Sequence, residues 1–201
     1  MPEHRFELIG GEPVLDFVNT VHDWTAAEPR DYVPTFSDAL RFGEAAGVLT
    51  PAEVRRIGAL APGTELRRLR ELRTRLERIL RAVQSDRSPT PEDLEQLADD
   101  AADAARAARL RAEKGRLKRV IDADAAGVAT VRLRLVEGMV TLLTSERLSR
   151  VSRCPSCGWF FVDTTKNRSR RWCSMAMCGS AVKARNYYWR TKKRREKKIA
   201  R

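Results

Sequence analysis

Four cysteines near the end of the chain carry the most specific chemistry in this sequence. They stand as Cys154-x2-Cys157, fifteen intervening residues, then Cys173-x4-Cys178. Two tight pairs separated by a loop of this length are the sequence form of a four-cysteine zinc site, in which thiolates surround the ion about 2.3 Å from it at tetrahedral corners. Pro155 restricts the first turn and Gly158 opens backbone conformations closed to other residues, so Cys154-Pro155-Ser156-Cys157-Gly158 reads as a zinc knuckle. Four protein thiolates leave no coordination position for water, which argues against a catalytic zinc. Spacing alone also admits an iron–sulfur cluster. A dithiol redox pair would need its C-x-x-C in a βαβ setting, and none is present. The expectation is one structural Zn(2+) per chain on Cys154, Cys157, Cys173 and Cys178.

Positive charge collects around these ligands. The chain has 201 residues and a formal net charge of +12. Residues 164–201 hold 14 Lys or Arg and one acid, Glu196, a net +13; residues 1–163 sum to −1. A basic block on an otherwise balanced chain points to a polyanion. The candidate contacts are Lys166, Arg168, Arg170 and Arg171 between the cysteine pairs, then Lys183, Arg185, Arg190 and Lys192, with further cations to Arg201. Aromatic residues are interleaved. Trp159, Phe161 and Trp172 are expected to build the small core of the zinc module. Tyr187, Tyr188 and Trp189 stand among the cations, and aromatics beside cations are one way to hold unpaired bases by stacking. Duplex DNA and single-stranded nucleic acid both remain open at this point.

The elements that position this site follow from periodicity and capping. Residues 36–47 predict a short helix. Thr50-Pro51-Ala52-Glu53 is a capping box with proline at the first helical position, opening the next. Leu66, Leu69, Leu72, Leu76, Ile79, Leu80 and Val83 mark the buried stripe of a long helix over 64–86. Its arginines alternate with Glu71 and Glu77 and read as a solvated face. Ser88-Pro89-Thr90-Pro91 turns into a helix over 91–112, and two helices joined by so short a turn predict an antiparallel hairpin. Residues 116–122 read as a strand and 125–146 as the last helix of the larger domain. In the zinc module, 159–163 and 170–172 predict the two strands of a hairpin, with Cys173 and Cys178 leading into a helix over 180–197. Pro13 to Val21 does not settle as helix or strand. Asp16, Asn19, Thr20 and His22 are polar residues in that apolar stretch. They are candidate pocket residues, although caps and local backbone bonds account for such residues too.

The first residues, MPEHRFELIGG, lack a basic n-region followed by an apolar h-region, and no apolar run approaches the roughly 20 residues of a membrane span. A cytoplasmic, nucleoid-associated protein is expected, a compartment in which clustered cysteines suggest metal rather than disulfides.

The zinc segment resembles the CGNR zinc-finger family of bacterial proteins. The resemblance rests on Cys154-Pro-Ser-Cys-Gly-Trp-Phe-Phe-Val-Asp163, on Asn167-Arg-Ser-Arg-Arg-Trp-Cys-Ser-Met-Ala-Met-Cys-Gly179 and on Lys183-Ala-Arg185. Leu15-Asp-Phe-Val-Asn-Thr20 resembles the opening of the ABATE domain that usually precedes that finger. The resemblance implies a stress-induced transcription regulator. One departure stands out: where the family name is Cys-Gly-Asn-Arg, this chain has Cys178-Gly179-Ser180-Ala181.

Together these readings predict an α+β protein: a mainly helical domain with a few strands over 1–150 and a treble-clef-like zinc finger over 151–201. The function expected is DNA-binding transcriptional regulation. The first domain would sense a small-molecule effector or mediate homodimer contacts. The alternatives are an RNA-binding or ribosome-associated zinc protein, or an enzyme with its site in the first domain. No nucleophile–base motif, phosphate loop or carboxylate pair supports the enzyme.

Overall fold

The computed structural model describes residues 6–24 and 26–199, with side chains as far as Lys192. The side chains of the basic residues from Lys193 to Lys198, and Arg201, lie outside the described residues. The chain is mostly helical with short antiparallel strand pairs.

Pro13–Val18 forms a short helix, α1, with proline at its first position. A two-residue pair follows, β1 (Val21–His22) and β2 (Arg30–Asp31). Helices α2 (Phe36–Ala45) and α3 (Pro51–Gly58) both open on capping boxes. At α3 the Glu53 carboxylate takes the Thr50 N–H at 2.8 Å, as its sequence predicts. The same carboxylate also pairs with Arg134, whose guanidinium donates to the carbonyls of Val48 and Ile121. One residue thus caps a helix and pins it to the core.

The core lies between α4 (Glu65–Val83), α5 (Pro91–Ala107) and α7 (Thr130–Leu143), with α1 and α2 against them. Leu69, Leu72, Leu76, Ile79 and Leu80 are all buried, along the stripe expected. The reading of the α4 arginines as a solvated face needs correction. Arg73 and Arg75 are buried, as are Glu65 and Glu77. Arg73 makes a two-pronged pair with Asp31 at 2.8 and 2.7 Å. Arg75 and Arg132 share Asp100, and Arg132 also holds Glu65 at 2.6 Å, so charges from α4, α5 and α7 close on one another. Such buried charges persist only when paired.

The strand at 116–122 is present as β4 (Arg116–Ile121), but its partner lies where helix was expected. Helix α5 stops at Ala107 and β3 (Ala108–Glu113) pairs with β4 through a two-residue turn, Lys114-Gly115, at positive φ. That turn geometry suits strand twist and sets the register. The last long helix is also broken. A four-residue helix, α6 (Ala123–Ala126), ends at Gly127, whose φ is +52°, and α7 starts three residues later.

Candidate metal centre and basic helix

The first cysteine pair sits in a knuckle between β5 (Val151–Arg153) and β6 (Phe160–Val162), which pair antiparallel with Arg153 opposite Phe160. The hairpin therefore closes across the knuckle. The expected partner, residues 170–172, forms no strand. The Val162 N–H instead meets the Gly10 carbonyl at 2.8 Å, so the N-terminal segment has taken that place. Within the knuckle Cys154 N donates to the Trp159 carbonyl and Gly158 N to the Cys154 carbonyl. Gly158 has φ +77°, a value that favours glycine.

Asp163 shapes the loop to the second pair. One carboxylate oxygen accepts from Thr165 N and Oγ1, the other from Arg170 N at 2.8 Å. Cys173 follows, and residues Met175–Gly179 make a single wide π-turn. That turn explains the x4 spacing, because it folds Cys178 back toward Cys173. Gly179 ends it where a Cβ would meet Met175 Sδ at 2.4 Å and Trp172 Cδ1 at 3.0 Å. The basic helix α8 (Ser180–Ile199) continues directly from the turn.

The four sulfurs converge. All lie within 4.8 Å of one another, with Cys157–Cys173 at 3.5 Å and Cys173–Cys178 at 3.6 Å. Four bonds of about 2.3 Å to tetrahedral corners place sulfurs about 3.8 Å apart, so the donor set fits one metal ion. A disulfide would need about 2.05 Å. The electrostatics agree. Hydrogen bonds from Cys157 and Cys173 draw the Cys154 thiol well below the ordinary range. The bond to Cys154, with burial, pushes Cys157 up to about 12, and bonds to Cys154 and Cys157, with burial, raise Cys173. Four thiolates this close would repel one another, and a cation among them removes that repulsion.

The basic residues divide. Lys166, Arg168, Arg171, Lys183, Arg185, Arg190 and Lys192 are exposed. Arg170, expected among the contacts, is part-buried and engaged within the fold. Its guanidinium lies 4.4 Å from the centre of the Phe161 ring and donates to the carbonyls of Ile9, Val162, Trp172 and Cys173. Trp159 and Phe161 are buried in the finger, as expected.

Of the four polar residues expected as pocket candidates, three are engaged by buried protein groups. Asn19 Nδ2 donates to the Phe160 carbonyl and its Oδ1 accepts from Phe160 N, both at 2.8 Å. Asp16 accepts from Gly10 N at 2.7 Å, and burial raises its pKa to about 6. Thr20 Oγ1 donates to the Phe17 carbonyl and accepts from Arg73. His22 is exposed, edge-on to Trp159. Trp159 Nε1 adds a bond to the Val21 carbonyl at 2.7 Å. The Asn19–Phe160 and Trp159–Val21 bonds clamp the finger onto the helices. No local pattern in the sequence announces a contact spanning 141 positions.

Two family matches cover most of the chain. Residues 11–146 match the ABATE family, described as "Putative stress-induced transcription regulator", and residues 150–191 match the CGNR zinc finger. No curated protein matches the sequence.

Proposed function

The chain belongs to the ABATE family, and on that premise we propose that it is a DNA-binding transcription regulator whose finger and terminal helix meet the phosphates. The observation that carries this reading is the distribution of charge on one end of the molecule. Residues 164–192 hold eight Lys or Arg and no acid, and seven of those cations are exposed. Cations on one surface release counterions from a nucleic-acid backbone and supply affinity whatever the sequence.

Zinc is the ion the donor set suits, one per chain on Cys154, Cys157, Cys173 and Cys178. When bound it would neutralise the thiolates and fix the knuckle to the π-turn. The residues themselves then orient α8, since that helix starts one residue after Gly179. The contacts proposed are Lys166, Arg168, Arg171, Lys183, Arg185, Arg190 and Lys192. The helical domain carries the regulatory input, through an effector or a second copy of the chain. A groove of about 530 Å3 between α1, β4 and α7, lined by Glu12, Arg119, Arg134 and Gly138 among others, offers a place for an effector. No described helix is long and apolar enough to cross a membrane, in keeping with work at the nucleoid.

The test changes charge and leaves the backbone whole. Cutting the chain at residue 150 would instead open the core, because Val151, Phe160 and Val162 pack into it. Replacing Lys183, Arg185, Arg190 and Lys192 together by Gln should remove most DNA affinity and flatten log K against log salt by about 3 to 4. Unchanged affinity would reject the reading.

A further inference from the structure

The finger leaves three aromatic side chains of α8 without a use. Tyr187, Tyr188 and Trp189 are 68%, 59% and 50% exposed. Every residue from Lys183 to Arg190 is exposed, and α8 packs mainly on the π-turn at its start. A surface helix ordinarily turns an apolar stripe toward a core, and among the described residues no core lies beneath this one. The aromatics are also ordered with respect to charge. Arg185, Tyr188, Trp189 and Lys192 fall at i, i+3, i+4 and i+7, which is one helix face. The Tyr188 and Trp189 rings stand 5.5 Å apart at 74°, forming a corner, and Lys192 Nζ lies 5.2 Å from the centre of the Trp189 ring.

We propose that this face is a base-stacking surface that binds unpaired bases of single-stranded DNA, with Arg185 and Lys192 on the flanking phosphates. The proposal rests on the nucleic-acid reading above and names the form of the ligand. Three physical points favour it. Flat rings beside cations match the two chemistries of a single strand, a π-face on every base and a charge on every phosphate. A second copy of the same helix is a poor occupant, because residues 164–195 contain 11 cations and no acid and would repel their like. Paired bases are a poor occupant too, since stacking within the duplex hides the faces that Trp189 and Tyr188 would cover.

The test is binding of the full-length, metal-loaded protein to a single-stranded oligonucleotide and to its duplex, at several salt concentrations. Trp189→Ala should weaken single-strand binding about ten-fold, within the range known for base–aromatic stacking. Duplex affinity should change less than two-fold, and the salt slope should stay as it was. Trp189→Phe keeps a ring and should retain most of the affinity. Lys192→Gln should instead reduce the single-strand salt slope by about 0.7. Because Trp189 is exposed, these changes leave the core alone. Equal losses for both forms after Trp189→Ala, or no loss for the single strand, would overturn the stacking surface while leaving salt-dependent binding intact. Wild-type protein that binds neither form would reject the functional reading along with it.

Discussion

The helical domain and the finger share one strand and are held together by different physics. Phe160 and Val162 of β6 point into the large core of Leu, Ile and Phe side chains, while Trp159 and Phe161 point the other way, among the cysteines. On the helical side, dozens of apolar contacts carry the structure, and buried charge appears inside closed networks. On the finger side, among the described residues, the buried hydrophobic cluster is Cys154, Cys157, Trp159, Phe161 and Cys173. So small a cluster cannot by itself offset the entropy of ordering some thirty residues, and a metal ion held by the four sulfurs would supply the missing stability. The difference teaches that β6 is a wall with two dependencies. Its far face rests on the cysteine cluster, its near face on the helices, and loss of either should be felt across it.

Breaking the metal side should have the largest effect. Cys154→Ser or Cys178→Ser is expected to abolish the one bound ion and unfold residues 151–179. Folding energies supplied by zinc in such modules are about 10–16 kcal/mol, far above any single side-chain contact here. Because Phe160 and Val162 belong to the helical core, the melting temperature of the whole chain should fall as well. Elemental analysis beside a thermal melt checks both; a metal-free variant with native tryptophan fluorescence would break the comparison.

The helical side should fail through its charges. Arg132→Ala leaves Glu65 and Asp100 facing a buried gap, at a cost of about 3–5 kcal/mol. Asn19→Ala strikes the wall itself. It strips both bonds from the Phe160 backbone, about 2–3 kcal/mol, and should loosen the finger before the helices. Denaturant melts give the totals, and limited proteolysis shows which region opens first. Opening of α5 before β6 in Asn19→Ala would contradict this assignment.

Acidity should act more gently, through two carboxylates of the helical domain. Burial raises Asp16 from 3.8 to about 6, so between about pH 4 and 6 the folded chain keeps a proton the unfolded chain has lost. Stability from this group therefore falls as pH rises through that window, by at most about 3 kcal/mol, and is flat above it. Glu53 works the other way: Arg134 draws its pKa from 4.5 to about 2, so its contribution is complete above about pH 4.5 and is lost as pH falls toward 2. Asp16→Asn should flatten the pH 4–6 window relative to the wild type. Chemical melts at pH 4, 5, 6 and 7 compare the two, and parallel curves would remove Asp16 from the argument.

The sequence was most readable where one local pattern determines structure. The cysteine spacing, the capping box at Thr50 and the leucine stripe of α4 each depend on residues within a few turns of one another. It was least readable where partners are distant. Arg73 and Arg75 look like any exposed arginines until Asp31 and Asp100 are brought beside them. Arg170 counts as surface charge until four carbonyls converge on it. The strand at 170–172 failed for the same reason, because Gly10, far back in the chain, occupies the edge it would have used. Helix α5 was overextended because alanine favours helix, whereas pairing with β4 and the turn at Gly115 decided residues 108–113.

The smallest expected effect is at the family motif itself, and it tests whether the finger's surface is only a phosphate-binding face. Ala181 stands where the CGNR finger has arginine, exposed in the first turn of α8 just after the π-turn. A restored arginine could act in two ways. It could pair with a carboxylate inside the finger, Asp163 being the candidate, and shift stability. Asp163, however, already accepts from Thr165 and Arg170 on both oxygens, which leaves it little to offer. The other way is contact with nucleic acid, and the anchored turn and neighbouring Lys183 and Arg185 make the surface there cationic already. Ala181→Arg should therefore tighten duplex binding modestly and steepen log K against log salt by about 0.9, one phosphate. Its melt should move by no more than an ordinary surface substitution, about 0.5 kcal/mol. Titrations at several salt concentrations beside a thermal melt decide. A shifted melt with an unchanged slope would place the family arginine on the structural side of the finger and return Asp163 to consideration as its partner.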